Sequence, residues 1–110
     1  MSEVLALFSS YAAFMHAVAL RVDIRIPLVN SLKEKRRIIK RLESGLRSKF
    51  EVAVAEVDFQ NQHRRAALGL ALVSGESFQL RKICSAIERW LYERPEIEVL
   101  SIELGHLVPE

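Results

Sequence analysis

The fold is decided by the stretch at residues 31–50, which reads SLKEKRRIIKRLESGLRSKF. Ser31 is followed by Glu34 three residues later, which is the pattern of a capping box and predicts that a helix begins here. Apolar residues then recur at helical spacing, so one side of this helix should be buried. The residues of that apolar side are Leu32, Ile38, Ile39, Leu42 and Leu46. We expect the helix to end near Lys49, and Gly45, which weakens a helix by about 1 kcal/mol relative to Ala, indicates close packing.

The same stretch is strongly basic. It holds eight of the 16 Lys and Arg residues against two Glu residues, a charge of +6 in a chain of net charge +2. Residues 1–30 balance to zero, and residues 51–110 carry −4. The predicted helix therefore presents a positive face on a nearly neutral body, which favours contact with a polyanion. The residues that we predict to bind nucleic acid are Lys33, Lys35, Arg36, Arg37, Lys40, Arg41 and Arg47.

Segments on both sides of the basic stretch alternate between apolar and polar residues, which is typical of half-buried strands. Residues 16–26 form the first such segment, and residues 50–59 form the second. Residues 65–73 are apolar on both sides, as in a central strand, and residues 97–104 form the last strand. Before that last strand, the spacing of apolar residues predicts a second helix over 76–93.

The predicted order is β-α-β-β-α-β, which is an α+β class of fold. It indicates a ferredoxin-like sandwich, a four-stranded antiparallel sheet with two helices on one face. Right-handed crossovers place the first and third strands in the centre, and residues 60–63 suit a hairpin turn before the third strand. The second and fourth strands are edges, and an unpaired edge favours a homodimer. We expect residues 15–108 to form a single domain, preceded by an extension at residues 1–14.

Composition narrows the class of protein further. The single cysteine, Cys84, excludes an intramolecular disulfide and a cysteine-cluster metal site, and it favours a cytoplasmic protein. The three His residues lie on separate segments without ligand spacing, so we expect neither a metal nor a cofactor. Residues 4–20 lack charge, but the run is too short and too polar for a membrane helix and lacks the positive region of a secretory signal. Met1 and Met15 both stand as candidate functional starts.

Three motifs together resemble one known family. They are Ser31-Leu32-Lys33-Glu34-Lys35-Arg36-Arg37 after the first strand, Val54-Ala55-Glu56-Val57-Asp58, and Ala67-Leu68-Gly69. From residue 15 to about residue 108, the chain is similar to the YlxP-like family of small bacterial proteins, catalogued as domain of unknown function 503. The resemblance implies a ferredoxin-like fold. Genes of family members often lie beside those of translation initiation and ribosome maturation factors, which implies a ribosome-linked role.

Glu56 and Asp58 form a second candidate polar site, together with His63 and Arg64. Two carboxylates at positions i and i+2 of a strand should lie on the same side of it. There they could act as acid and base or hold a divalent ion. The interpretation that we favour is an ion pair of these carboxylates with Arg64 or Arg65 across the hairpin.

These observations leave two main classes of function. The first is a non-enzymatic protein that binds structured RNA, such as that of a ribosomal particle, through phosphate contacts of the first helix. The open face of the two central strands offers no aromatic residue for base stacking, which favours contact with the RNA backbone. The second is a protein-interaction or regulatory homodimer without nucleic-acid binding, in which the basic helix is a docking surface or an ordinary solvated face. An enzyme that uses Glu56 and Asp58 is the remaining alternative.

Overall fold

The computed structural model describes residues 15–107, which contain six regular elements. They are β1 (His16–Arg25), α1 (Leu32–Phe50), β2 (Ala53–Asp58), β3 (Arg65–Ser74), α2 (Ser77–Tyr92) and β4 (Glu98–His106). The predicted order of strands and helices is therefore confirmed. The predicted extension at residues 1–14 and the predicted last residue of the domain, Val108, lie outside the described residues.

The four strands form one antiparallel sheet in the order β2-β3-β1-β4. The first and third strands occupy its centre and the second and fourth its edges, so the predicted ferredoxin-like arrangement is confirmed. One sheet face and both helices contribute to a single core. The core members from β1 and from the two helices are Val18, Leu20, Val22, Ile24, Ile39, Leu42, Leu46, Leu80, Ile87 and Leu91. Within residues 15–107, neither helix is long and apolar enough to cross a membrane.

α1 begins where the capping pattern predicts. The Ser31 hydroxyl accepts a hydrogen bond from the Glu34 amide at 3.1 Å. The Glu34 carboxylate accepts one from the Asn30 amide at 2.7 Å, one residue earlier than in an ideal capping box. Because the negative carboxylate also lies at the positive end of the helix dipole, the start of α1 is fixed twice over.

The end of α1 differs from the prediction. Phe50 was expected to open the second strand, but it is the last residue of the helix, and β2 begins only at Ala53. Glu51 adopts the left-handed conformation (φ 54°), and its amide donates to the Arg47 carbonyl at 2.9 Å. This arrangement is a common helix C-cap. The alternation at residues 50–54 wrongly predicted a strand from Phe50 onwards. Phe50 does pack against the core, but it does so from the end of the helix.

Gly45 is the point of closest approach between the two helices. A Cβ atom added to it would lie 2.7 Å from Cζ2 and 2.9 Å from Cη2 of Trp90. The indole ring cannot easily move away. Phe50 meets it edge-on at a centroid distance of 6.3 Å, and the Arg94 guanidinium lies 4.3 Å from it.

We expect Gly45→Ala to lower the free energy of unfolding by about 1 kcal/mol. The cost of overpacking, about 1–3 kcal/mol, exceeds the gain of about 1 kcal/mol in helix propensity. Urea unfolding measures the change. The matched control is Ser44→Ala on the exposed side of the same turn, which should stabilise slightly. A Gly45→Ala protein as stable as the Ser44→Ala protein would contradict the close packing.

Candidate nucleic-acid interface

Five basic side chains lie along the solvent side of α1, opposite the buried side that carries Ile39, Leu42 and Leu46. We call them the outer basic face: Lys33, Arg36, Arg37, Lys40 and Arg41. All five are exposed. Within residues 15–107, no hydrogen bond or ion pair engages any of them. The outer basic face is therefore a surface of unneutralised positive charge.

Arg47 belongs to the same side of the helix but is engaged by the sheet. Its Nη2 atom donates a hydrogen bond to the carbonyl of Val54 at 3.0 Å. Val54 lies on β2, an edge strand, so the guanidinium covers part of the edge at which a second chain could pair. Arg47 thus stabilises the end of α1 against β2. It can contact a nucleic acid only through its other N–H groups or by giving up the hydrogen bond to Val54.

Lys35 does not share the outer basic face, which corrects the predicted set. Its side chain is 1% exposed, and its ammonium lies 2.8 Å from Oε2 of Glu56. It also donates to the carbonyls of Phe59 and Gln62, each at 2.6 Å. Two hydrogen bonds to carbonyls and an ion pair with Glu56 thus hold this ammonium inside the protein. Lys35 is therefore a structural residue that joins α1 to the β2–β3 turn, and in this conformation it is not accessible to a nucleic acid.

Glu56 and Asp58 lie on opposite sides of β2, contrary to the prediction. The pairing of β2 with β3 shifts between them, because two steps along β2 advance the pairing by only one residue of β3. Such a β-bulge turns the following side chain to the other face. Glu56 reaches Lys35 in the helix layer, whereas Asp58 reaches Arg21 on the open face of the sheet. The two carboxylates therefore cannot act together as an acid–base pair or as ligands of one ion.

Asp58 belongs to a network centred on Arg21. Nη2 of Arg21 lies 3.1 Å from Asp58 Oδ2, and its Nε atom lies 3.2 Å from Asp23 Oδ1. The hydrogen bond from Arg21 lowers the pKa of Asp58 below its ordinary value, and the bond from the backbone amide of Phe59 acts in the same direction. The network holds the open face at β1 and β2 together and keeps the Asp58 carboxylate charged.

The predicted pairing of Arg64 or Arg65 with these carboxylates is wrong. Arg64 instead donates from Nε to the Val29 carbonyl at 3.1 Å and from Nη2 to the Asn30 side chain at 3.3 Å. Both acceptors lie in the connection that leads into α1. Arg64 therefore ties the β2–β3 turn to the start of the helix, as Lys35 does from the helix side.

Arg65 stacks on an aromatic ring that the sequence did not mark as functional. Its guanidinium carbon lies 4.5 Å from the ring centroid of Phe59, a cation–π distance. Phe59 follows β2 directly and has a positive φ of 61°. The open face thus carries an aromatic ring after all, but the ring comes from the turn, whereas the predicted open-face positions on the strands hold none.

The described residues contain no group of three His, Cys, Asp or Glu side chains that could hold a metal ion. His63 lies exposed in the β2–β3 turn. Cys84 is partly buried against the core, and burial raises the pKa of its thiol, so the reactive thiolate is disfavoured.

The open face of the sheet forms a shallow trough of about 580 Å³. Six of its 13 lining residues are small, namely Ala19, Ala53, Ala55, Gly69, Ala71 and Gly105, and two are charged, Arg21 and Glu103. Val57 and Val73, on the same strands, are 48% and 63% exposed. This trough is an apolar surface on the side of the sheet away from the outer basic face.

Comparison with known proteins places the chain in a family. The model of the family described as protein of unknown function (DUF503) matches residues 18–104. The chain belongs to the DUF503 family. It is 35% identical, over 68 residues, to the uncharacterised protein YlxP of Bacillus subtilis (strain 168), which covers 62% of this chain and 74% of YlxP. The family resemblance noted in the sequence is thereby confirmed.

Two solved structures resemble this DUF503 chain in general shape. The designed protein Foldit4 is 18% identical with a TM-score of 0.46, covering 86% of this chain and 99% of that one. The 30S ribosomal protein S6 of Thermotoga maritima is 9% identical with a TM-score of 0.47, covering 83% and 87%. At these identities and scores, neither likeness bears on the function of the DUF503 chain.

In the DUF503 chain, we expect Lys35→Met to lower the free energy of unfolding by about 3–5 kcal/mol, because it leaves the Glu56 carboxylate without its charge partner. Adding Glu56→Gln to it should restore about 1 kcal/mol or more, since no lone charge then remains near the core. Denaturant titration of the single and double variants checks both numbers. Lys40→Met, on the outer basic face, is the control and should change stability by no more than about 0.5 kcal/mol.

The Arg21–Asp58 contact predicts a pH dependence of stability in the same DUF503 chain. The folded-state pKa of Asp58 is lowered, so its contribution is complete above the ordinary carboxyl pKa near 4 and is lost as pH falls through the lowered value. Asp58→Asn should flatten that acid limb of the stability curve. Arg21→Met should flatten it less, because the Phe59 amide still donates to Asp58. Thermal unfolding between about pH 2 and pH 6 gives the curves, and an unchanged Asp58→Asn curve would contradict the assignment.

Proposed function

We propose that the protein is a non-enzymatic cytoplasmic protein that binds the phosphate backbone of structured RNA, such as that of a ribosomal particle, with α1. The observation that supports this is the outer basic face: five exposed cationic side chains on one side of one helix, none of which forms an ion pair with an acid of residues 15–107. An ordinary solvated helix face mixes charges of both signs at four-residue spacing. Here the helix holds two Glu residues against its eight Lys and Arg residues: Glu34 accepts the Asn30 amide in the N-terminal cap, and Glu43 is half-buried.

The chemistry of this face suits phosphate groups. Arg36, Arg37 and Arg41 present planar guanidinium groups, which bind phosphate oxygens in a bidentate manner, and Lys33 and Lys40 add point charges. Contacts of this kind fix the position of an RNA and carry little sequence information. α1 itself is rigid, because its first turn is capped and its buried side is packed against the sheet. The backbone that carries the cations is therefore held in place.

The proposal predicts RNA binding that weakens steeply with salt. Each phosphate that the face neutralises adds roughly 0.7–0.9 to the slope of log affinity against log salt. We expect an Arg36→Glu and Arg37→Glu double variant to bind at least about tenfold more weakly at about 50 mM salt and with a shallower slope. Fluorescence anisotropy with a labelled RNA hairpin measures both quantities.

The matched control is the double variant Arg81→Glu and Lys82→Glu, which makes the same change in net charge on exposed positions of α2. It should bind the hairpin nearly as the wild type does. Equal losses in both double variants would show a response to net charge alone, and absence of salt-sensitive binding by the wild type would refute the proposal.

A second candidate function is a protein-interaction or regulatory homodimer without nucleic-acid binding. The apolar trough of the open face, with Val57 and Val73 beside it, supports this alternative. Arg47 already occupies one carbonyl of the β2 edge, so pairing through that edge would have to displace it. The mass in solution from light scattering distinguishes a dimer from a monomer. A protein partner lost in the Arg36→Glu and Arg37→Glu variant while RNA binding is unchanged would favour this second function.

A further inference from the structure

One residue at the corner of the open face is held in a conformation that its type rarely adopts. Phe59 has a φ of 61°, in the left-handed region that favours glycine. Three hydrogen bonds fix its backbone. Its amide donates to Asp58 Oδ1 at 2.8 Å, and its carbonyl accepts from Lys35 Nζ at 2.6 Å and from the Gln62 amide at 3.0 Å. Strained residues of this kind are retained where the surroundings impose them, often at binding sites.

The strained backbone places the Phe59 ring against Arg65. The guanidinium carbon lies 4.5 Å from the ring centroid, and the Nε atom of Arg65 makes no hydrogen bond within the described residues. Aromatic rings and guanidinium planes are the two kinds of side-chain surface on which proteins stack unpaired nucleobases. The two side chains are half-buried and the Nε atom itself is buried, so what the pair offers at one corner of the sheet is a flat, cationic platform.

The turn that follows Phe59 carries a run of polar, uncharged side chains. Gln60, Asn61 and Gln62 are exposed, and their side-chain amides form no hydrogen bond within residues 15–107. Each amide has both donors and an acceptor, which is what recognition of a base edge requires. The backbone of the turn is already fixed, by Lys35 on the Gln62 carbonyl and by Arg64 on the Val29 carbonyl. Binding would therefore cost little ordering entropy.

We propose that the stack of Phe59 and Arg65, with the side chains of Gln60 and Asn61, binds an unpaired base of the RNA whose phosphates contact the outer basic face. This inference rests on the proposed function and deepens it. Because Lys35 joins the β2–β3 turn directly to the first turn of α1, the two surfaces lie at the same end of the domain, one on the open face of the sheet and the other on the solvent side of the helix. The preferred base is adenine, since an amide side chain pairs in a bidentate manner with its N6 and N7 atoms.

The test uses the full chain and four RNA hairpins with the same stem and loops of A, G, U or C. Arg65→Lys keeps the charge and removes the planar surface, so it should weaken binding of the A-loop hairpin by about tenfold with an unchanged salt slope. The double variant Gln60→Ala and Asn61→Ala, at exposed positions, should reduce the preference for the A-loop until the four hairpins bind within about twofold of one another. Circular dichroism confirms that each variant is folded.

The outcomes separate this inference from the function on which it rests. If the wild type binds no hairpin, both fail. A second outcome is that the wild type binds with a steep salt slope and the Arg36→Glu and Arg37→Glu variant does not. If, in addition, the Arg65→Lys variant and the Gln60→Ala and Asn61→Ala variant bind all four loops as the wild type does, the phosphate contacts stand and base recognition fails. A uniform loss across the four loops with a shallower salt slope would identify the turn as one more phosphate contact and would also overturn base recognition.

Discussion

The buried ammonium of Lys35 is the interaction on which the arrangement of this small domain depends. It lies on the apolar side of α1, and its three oxygen partners come from the end of β2 and from the turn after it. A lysine is almost never buried unless its charge is paired. The cost of removing this charge from water is offset only in the native arrangement, where Glu56 and two backbone carbonyls converge on it. Burial of Lys35 thus specifies how the β2–β3 hairpin sits on the helix.

This role changes what the family-marking motif at residues 31–37 means. Ser31 and Glu34 cap the helix, and Lys35 holds the hairpin, so three of its seven residues are explained by folding. Glu56, from the second motif, is explained as the partner of Lys35. A motif of this kind identifies the fold and does not by itself identify a function. The residues that folding leaves unexplained are the cations on the opposite side of the same helix.

Periodicity in the sequence was sufficient for the order of elements and for the central position of β1 and β3, because the alternating and helical patterns are long. It failed at two local features. The bulge between Glu56 and Asp58 arises from pairing with β3, which strand periodicity does not record. Phe50 is apolar in either setting, so its place at the end of the helix was ambiguous. Lys35 could have been found: it precedes Ile39, Leu42 and Leu46 by four, seven and eleven residues, the spacing of one helix face.

The distribution of acids explains why the outer basic face keeps its charge. Three carboxylates near α1 and the β2–β3 hairpin are engaged by other groups: Glu34 accepts the Asn30 amide, Glu56 faces Lys35, and Asp58 pairs with Arg21. If Lys35 were solvated, Glu56 would be available to the exterior and the local field near α1 would be less positive. Because Lys35 and Glu56 neutralise each other, their ion pair does not reduce the positive charge of the outer basic face. The interaction that orders the hairpin therefore also preserves the surface on which the proposed function rests.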